Sequence, residues 1–176
     1  MRQEKEGTLR LLTPGELRLA RSVFGNAITY PKVWIHHGSY FPLGLQGKNT
    51  SMAPNGEIYF RNWYASDFSI QPADYQHTFI HEMGHVWQRE RGMHVMLRGL
   101  LSWGANYHYR LDNRLLWQYP MEQQAQIIAD YFVLSKFGYR IWLVLRGNRM
   151  VTLDGDLREE VIRPLYLRAL SGFPGR

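Results

Sequence analysis

The sequence predicts an α+β domain, mainly helical, with a small β-sheet. Segments with apolar residues at helical spacing outnumber the runs of β-forming residues. The strand candidates sit together early in the chain and do not alternate with helices as a βαβ protein requires. At 176 residues, 45% hydrophobic and 14% aromatic, the chain has the size of one domain and enough apolar surface for a core, which excludes disorder as its main state. Residues 1–176 read as a single domain, with flexible tails expected at 1–11 and 171–176.

The first helix opens at Thr13, a capping residue, with Pro14 in the first helical position and Glu16 placed for a capping box. Leu17, Ala20, Arg21 and Phe24 follow at helical spacing, and Gly25-Asn26 stops the run. Lys32 to His36 reads as a strand, and the glycine- and proline-marked stretch from Gly38 to Gly56 as a loop. Glu57 to Trp63 reads as a second strand, entered through an Asn55-Gly56 turn. A long helix follows from Pro72-Ala73-Asp74 to about Arg91, ended by Gly92; Tyr75, Phe79, Met83, Val86 and Trp87 are its core-facing positions. From Met93 to Tyr119 the pattern is less regular, a short helix and then an aromatic-rich loop. Pro120 opens another helix, with Ala125, Ile128, Ala129, Phe132 and Val133 on its apolar face and an end near Gly138. The last helix spans about Asp156 to Leu170, interrupted near Pro164.

Composition narrows the function classes. There is no cysteine, so disulfide frameworks, cysteine zinc fingers and thiol catalysis are excluded, and any metal site must be built from His, Asp and Glu. No apolar run reaches the roughly eighteen residues of a membrane span, and the charged start does not read as a secretory signal. Lys plus Arg number 21 against 15 acids, giving +6, a balance that can favour polyanions. The arginines are scattered rather than clustered, which argues against a nucleic-acid partner.

The chemistry lies in the long helix. His81-Glu82-Met83-Gly84-His85 is an HExxH motif, and on a helix residues i and i+4 share one face. His81 and His85 can therefore point two imidazole nitrogens at one ion, expected to be Zn2+. Glu82, one position round the helix, falls beside that ion, where it can take the proton of a metal-bound water. A catalytic zinc needs a third protein ligand. The metzincin continuation fails, because Gln88 and Arg91 stand where Gly and a third His belong. Glu122, at the start of the next regular helix, is the leading candidate, in an arrangement that resembles the gluzincin plan; Asp130 and His108 stand in reserve. Gluzincins often place an aspartate four residues after that glutamate to orient a zinc-bound histidine. Here that position is Gln126, whose amide oxygen can accept an imidazole N–H.

Tyr107, His108 and Tyr109, between the two zinc helices, are candidates to stabilise an oxyanion or to support the metal ligands. His77 lies one turn before His81 and is expected to pack beside the metal without ligating it; His36, His37 and His94 read as surface residues. By fold analogy, the strand containing Glu57, Ile58, Tyr59 and Phe60 is the expected edge on which an extended peptide substrate pairs.

The order of Arg21 to Gly25, Asn55 to Phe60, His81-Glu82-Met83-Gly84-His85-Val86-Trp87-Gln88 and Glu122-Gln123-Gln124-Ala125 resembles small zinc metallopeptidase domains attached to bacterial secretion and contractile-injection proteins. In particular it resembles the C-terminal metallopeptidase domain of VgrG spike proteins of type VI secretion. The resemblance implies a zincin-like fold and zinc-dependent peptide hydrolysis. It also implies a toxin domain carried by the spike into the periplasm of a rival cell, acting on protein or peptide in the target-cell envelope, with an immunity protein in the producer. A zinc-dependent peptidoglycan hydrolase, and a non-catalytic basic module with a structural zinc, are the alternatives.

Overall fold

The computed structural model describes residues 6–40, 51–53, 55–93 and 106–175. In chain order the elements are β1 (Leu9–Leu11), α1 (Pro14–Phe24), β2 (Trp34–His37), β3 (Ile58–Phe60), α2 (Ala73–Glu90), α3 (Met121–Gly147) and α4 (Glu159–Ala169). The class is α+β, with a three-stranded sheet in the order β1-β2-β3. β1 runs antiparallel to β2, with Leu9 opposite His36, and β3 runs parallel to β2, with Ile35 opposite Ile58. No described helix is long and apolar enough to cross a membrane.

Both strands predicted from composition exist, shorter than expected and shifted in the first case. α1 starts as its local chemistry dictates: Thr13 accepts from the Glu16 N–H at 3.1 Å, and the Glu16 carboxylate accepts from the Thr13 N–H at 2.9 Å. Glu16 does more than close this box. It is fully buried, and it also accepts from the Arg10 guanidinium at 2.8 and 2.9 Å and from the Phe68 N–H at 2.9 Å. The expectation of a flexible 1–11 is therefore corrected at Leu9–Leu11, which form β1. Arg10 is the counter-ion of a buried carboxylate, a requirement that the apolar pattern does not register. Residues 1–5 lie outside the described residues.

The expected tail at 171–176 is corrected as well, up to residue 175. Phe173 packs edge-on against Phe24 and Trp87, with ring centroids at 5.7 and 5.1 Å. The Pro174 carbonyl accepts from Trp87 Nε1 at 3.0 Å and from Arg91 at 3.1 Å. The C-terminal segment thus docks against the C-terminal end of α2.

α2 matches its predicted span, and Phe79, Met83, Val86 and Trp87 are buried as expected. α3 departs from expectation. Gly138 breaks the helical conformation at φ 83°, where the predicted helix ends, but a further helical stretch follows at once and buries Trp142 and Leu145. α4 runs through Pro164 without interruption, although a proline inside a helix removes one backbone hydrogen bond and crowds the carbonyl four residues before it. Of the segment from Met93 to Tyr119, residues 94–105, with the expected short helix and His94, lie outside the described residues. The rest is irregular, with a bridge between Tyr109 and Leu153 and a short 3-10 turn at Leu116–Gln118.

The functional side of the fold is the crossing of α2 over α3. A Cβ built at Gly84 would come within 3.2 Å of both Cα and Cβ of Ala125. The glycine inside the HExxH motif therefore sets the closeness of the two helices. Replacing it with valine is expected to push them apart and cost about 1–3 kcal/mol of stability, the usual penalty of overpacking. The measurement is the unfolding midpoint in denaturant, and an unchanged midpoint would show that the crossing is looser than described.

Candidate metal centre

α2 presents His81 and His85 one turn apart, and the first turn of α3 presents Glu122 to them. Glu122 Oε2 lies 3.5 Å from His81 Nε2 and 3.2 Å from His85 Nε2, and one ligand atom from each of the three lies within 4.8 Å of the others. Among the described residues this is the cluster of His, Asp and Glu able to hold a metal ion. The donor set of two imidazole nitrogens and a carboxylate suits zinc.

The orientation of His85 is fixed from behind by Gln88. Gln88 Oε1 lies 2.9 Å from His85 Nδ1, while Gln88 Nε2 donates to the Met121 carbonyl at 2.8 Å and to Gln124 Oε1 at 3.2 Å. With the amide nitrogen so engaged, its oxygen is the acceptor for an Nδ1–H, and Nε2 is turned toward Glu122. The same side chain ties α2 to the residue before Glu122. Gln126, the expected orienting residue, instead donates to Asp130 at 2.8 Å, beside His77. Gln88 stands three residues after His85 on the same helix face, so the signal for its role was present in the spacing.

The charges confirm how tightly the three groups are coupled. Burial pulls His85 toward its neutral form, yet the Glu122 carboxylate overrides it and the imidazole is pushed up to about 9. Burial likewise opposes the Glu122 anion, and His85 and His81 nevertheless hold it well below the usual carboxylate range.

Glu82 is buried beside the three, and its Oε1 accepts from Ser51 Oγ at 2.7 Å. Its other oxygen, Oε2, is buried with no hydrogen-bond partner among the described residues. An unpaired buried carboxylate oxygen is costly, so this atom marks a place built for a further group. Glu82 also helps line a cleft of about 250 Å³, together with Ser51, Trp63, His77, His81 and Tyr107 among others. No residue pattern pointed to Ser51.

Of the other candidates, the structure brings Tyr107 to this cleft, with its ring 6.0 Å from that of His81. Burial, then Glu122 and Glu82, push its hydroxyl up to about 12, so it keeps its proton through neutral pH. His108 and Tyr109 do not line the cleft. His108 is exposed and pairs with Asp154 at 3.2 Å, while Tyr109 is buried and donates to Asp130 at 2.7 Å. Asp130 is not placed as a ligand; four donors from surrounding elements converge on it.

The expected substrate edge at Glu57, Ile58, Tyr59 and Phe60 is also corrected. The Tyr59 N–H donates to the Met52 carbonyl at 2.8 Å and the Tyr59 carbonyl accepts from the Met52 N–H at 3.1 Å. Ile58 and Phe60 are fully buried and turn toward β2 and the core. The outer side of β3 is thus already paired by the chain's own 51–53 segment, a long-range contact that strand propensity does not reveal.

No protein-family model matches the sequence. The structure is similar to the solved effector domain of Pseudomonas aeruginosa VgrG2b, with a TM-score of 0.66 and 35% sequence identity, over 88% of this chain and 89% of that one. The sequence is 41% identical over 139 residues to the type VI secretion system spike protein VgrG2b of the same organism, which is 73% of this chain but 13% of the spike protein. The chain thus spans about an eighth of the curated relative's length, 13%.

The His85–Glu122 pair has a consequence for pH that can be measured on chelator-treated protein. A histidine raised above its unfolded value contributes stability that is complete below about 6.5 and is lost as pH rises through about 9. Stability is expected to decline across that window. Glu122→Gln, which keeps the side chain's size and removes its charge, is expected to flatten the decline. An equally steep decline in the variant would show that the pair is not its source.

Proposed function

Because this chain belongs to the family of the VgrG2b effector domain, we propose that it is the effector portion of a type VI secretion spike. In this reading it adopts a zincin-like site and hydrolyses peptide bonds with a zinc ion held by His81, His85 and Glu122. The observation that carries the reading is the juxtaposition of these three ligand atoms with Glu82, whose buried Oε2 has no partner among the described residues. A peptide in the envelope of the target cell is the substrate class, the target periplasm the place of action, and an immunity protein the safeguard of the producer.

The chain's own residues divide the work. When bound, zinc at such a site polarises a carbonyl and makes a neighbouring water more acidic. Ser51 holds Glu82 by Oε1 and leaves Oε2 free to accept the proton of the attacking water. The same carboxyl then hands that proton to the departing amine. Tyr107, protonated across the working range, supplies an O–H to the developing oxyanion. Gln88 keeps the His85 Nε2 lone pair aimed at the ion.

Glu82→Gln cannot accept the proton, so hydrolysis of protein substrates should fall at least about a hundredfold, the lower range for loss of a general base. Zinc content and fold should be retained. Growth inhibition on periplasmic expression should vanish with the same substitution, and digestion of isolated sacculi by the wild type in place of proteins would replace the peptidase reading. Gln88→Ala should weaken zinc binding by about 10–100-fold in a chelator competition, as loss of such a supporting contact does elsewhere. His108→Ala should leave zinc affinity unchanged, and a loss of affinity there would reassign the ligand set.

A further inference from the structure

His77 lies one helical turn before His81 on α2 and is 4% exposed. Its Nε2 is 2.7 Å from Oδ1 of Asp130, a fully buried carboxylate on α3. Asp130 Oδ1 also accepts from Gln126 Nε2 at 2.8 Å, while Oδ2 accepts from the Tyr109 hydroxyl at 2.7 Å and the Thr152 N–H at 3.2 Å. Every neighbour of this carboxylate offers it a hydrogen, so Asp130 is an acceptor throughout and His77 supplies its hydrogen at Nε2. In the neutral imidazole the other nitrogen, Nδ1, is then an acceptor.

That acceptor has no hydrogen-bond partner among the described residues. Nor is it one of the buried atoms without a partner, which are His37 Nδ1, Glu82 Oε2 and Trp142 Nε1. His77 lines the cleft that also holds His81, Glu82 and Tyr107, so Nδ1 opens onto it. The ring does not belong to the metal-holding cluster of His81, His85 and Glu122. A packing role alone does not account for the arrangement. Burying an imidazole and a carboxylate costs more than burying apolar side chains of the same volume, and the network leaves one nitrogen facing the site.

We propose that His77 contacts the substrate, its Nδ1 accepting a hydrogen bond from a main-chain N–H of a peptide lying in the cleft, with Asp130 as the positioning residue that fixes the tautomer. This rests on the peptidase reading above and specifies what the site recognises: an unmodified amide N–H beside the bond to be cut. An extended peptide offers N–H and C=O groups in alternation. Tyr107 supplies the donor for a carbonyl, and His77 supplies the acceptor for an N–H.

The test uses the zinc-loaded full chain and casein-derived internally quenched peptides. The best-cleaved peptide is remade with an N-methyl group at each bond flanking the cleavage site in turn. For the wild type, one such methyl group is expected to raise KM about five- to tenfold with kcat nearly unchanged, the factor set by one net hydrogen bond. His77→Phe should show that raised KM on the unmodified peptide and be indifferent to the same methyl group. A His77→Phe protein with wild-type KM, or with wild-type sensitivity to methylation, overturns the proposal and leaves the peptidase reading standing. Because phenylalanine can disturb the Asp130 network, the wild type is also measured directly by nitrogen-15 NMR of labelled histidine. The expected result is hydrogen on Nε2, none on Nδ1, and a shift of Nδ1 on adding the cleaved peptide; hydrogen on Nδ1 overturns the proposal. If wild type and Glu82→Gln alike cleave no peptide, the peptidase reading fails and this proposal with it.

Discussion

The distance between α2 and α3 governs the rest of the molecule. Gly84 brings the two helices so close that an added Cβ would meet Ala125 at 3.2 Å. One turn away on the same crossing, the Gln88 amide bonds the Met121 carbonyl at 2.8 Å and so fixes the start of α3. Glu122 is the next residue. Its carboxylate reaches two histidines of α2 only because backbone and amide hold that end of α3 in place. Glycine in a helix interior is normally a weakness, about 1 kcal/mol less favourable than alanine. Here that weakness is offset by the approach it permits.

The other side of the crossing is held by a different device. Asp130, two turns beyond Glu122, gathers hydrogen bonds from α2, from the segment around Tyr109 and from Thr152. A buried carboxylate with that many donors constrains all of them at once, since loss of any one leaves part of a charge unsolvated. Glu122 and Asp130 thus act as two anchors on one helix. The first turns its charge to the cleft, and the second turns its charge inward to position what lines that cleft.

Around this pair the chain's ends close the structure. Glu16, fully buried like Asp130, joins β1, the start of α1 and the turn at Phe68. Phe173 and Pro174 cover Trp87 at the far end of α2. α2 is therefore clamped along its length, with Gln76, His77, His81, Glu82, His85 and Gln88 all buried polar residues on it. So many polar side chains on a buried helix are tolerated because each makes at least one polar contact among the described residues, although Glu82 Oε2 and His77 Nδ1 have no partner there.

The sequence by itself determined the α+β class, the span of α2 and the pairing of His81 with His85, because these rest on local periodicity and on the i, i+4 geometry of a helix. It also singled out Glu122, through its place at the start of a helix after proline. What it did not determine were contacts between residues far apart in the chain. Arg10 looked like part of a charged tail until Glu16 proved to be buried, and Ser51 carried no pattern at all. Tyr59 looked like an open edge, although Met52 pairs with it. His77 and Asp130 are 53 positions apart, and their bond exists only because α2 and α3 cross. Only the tertiary structure decided which polar groups are desolvated together, since burial belongs to the packed molecule and not to the order of its residues.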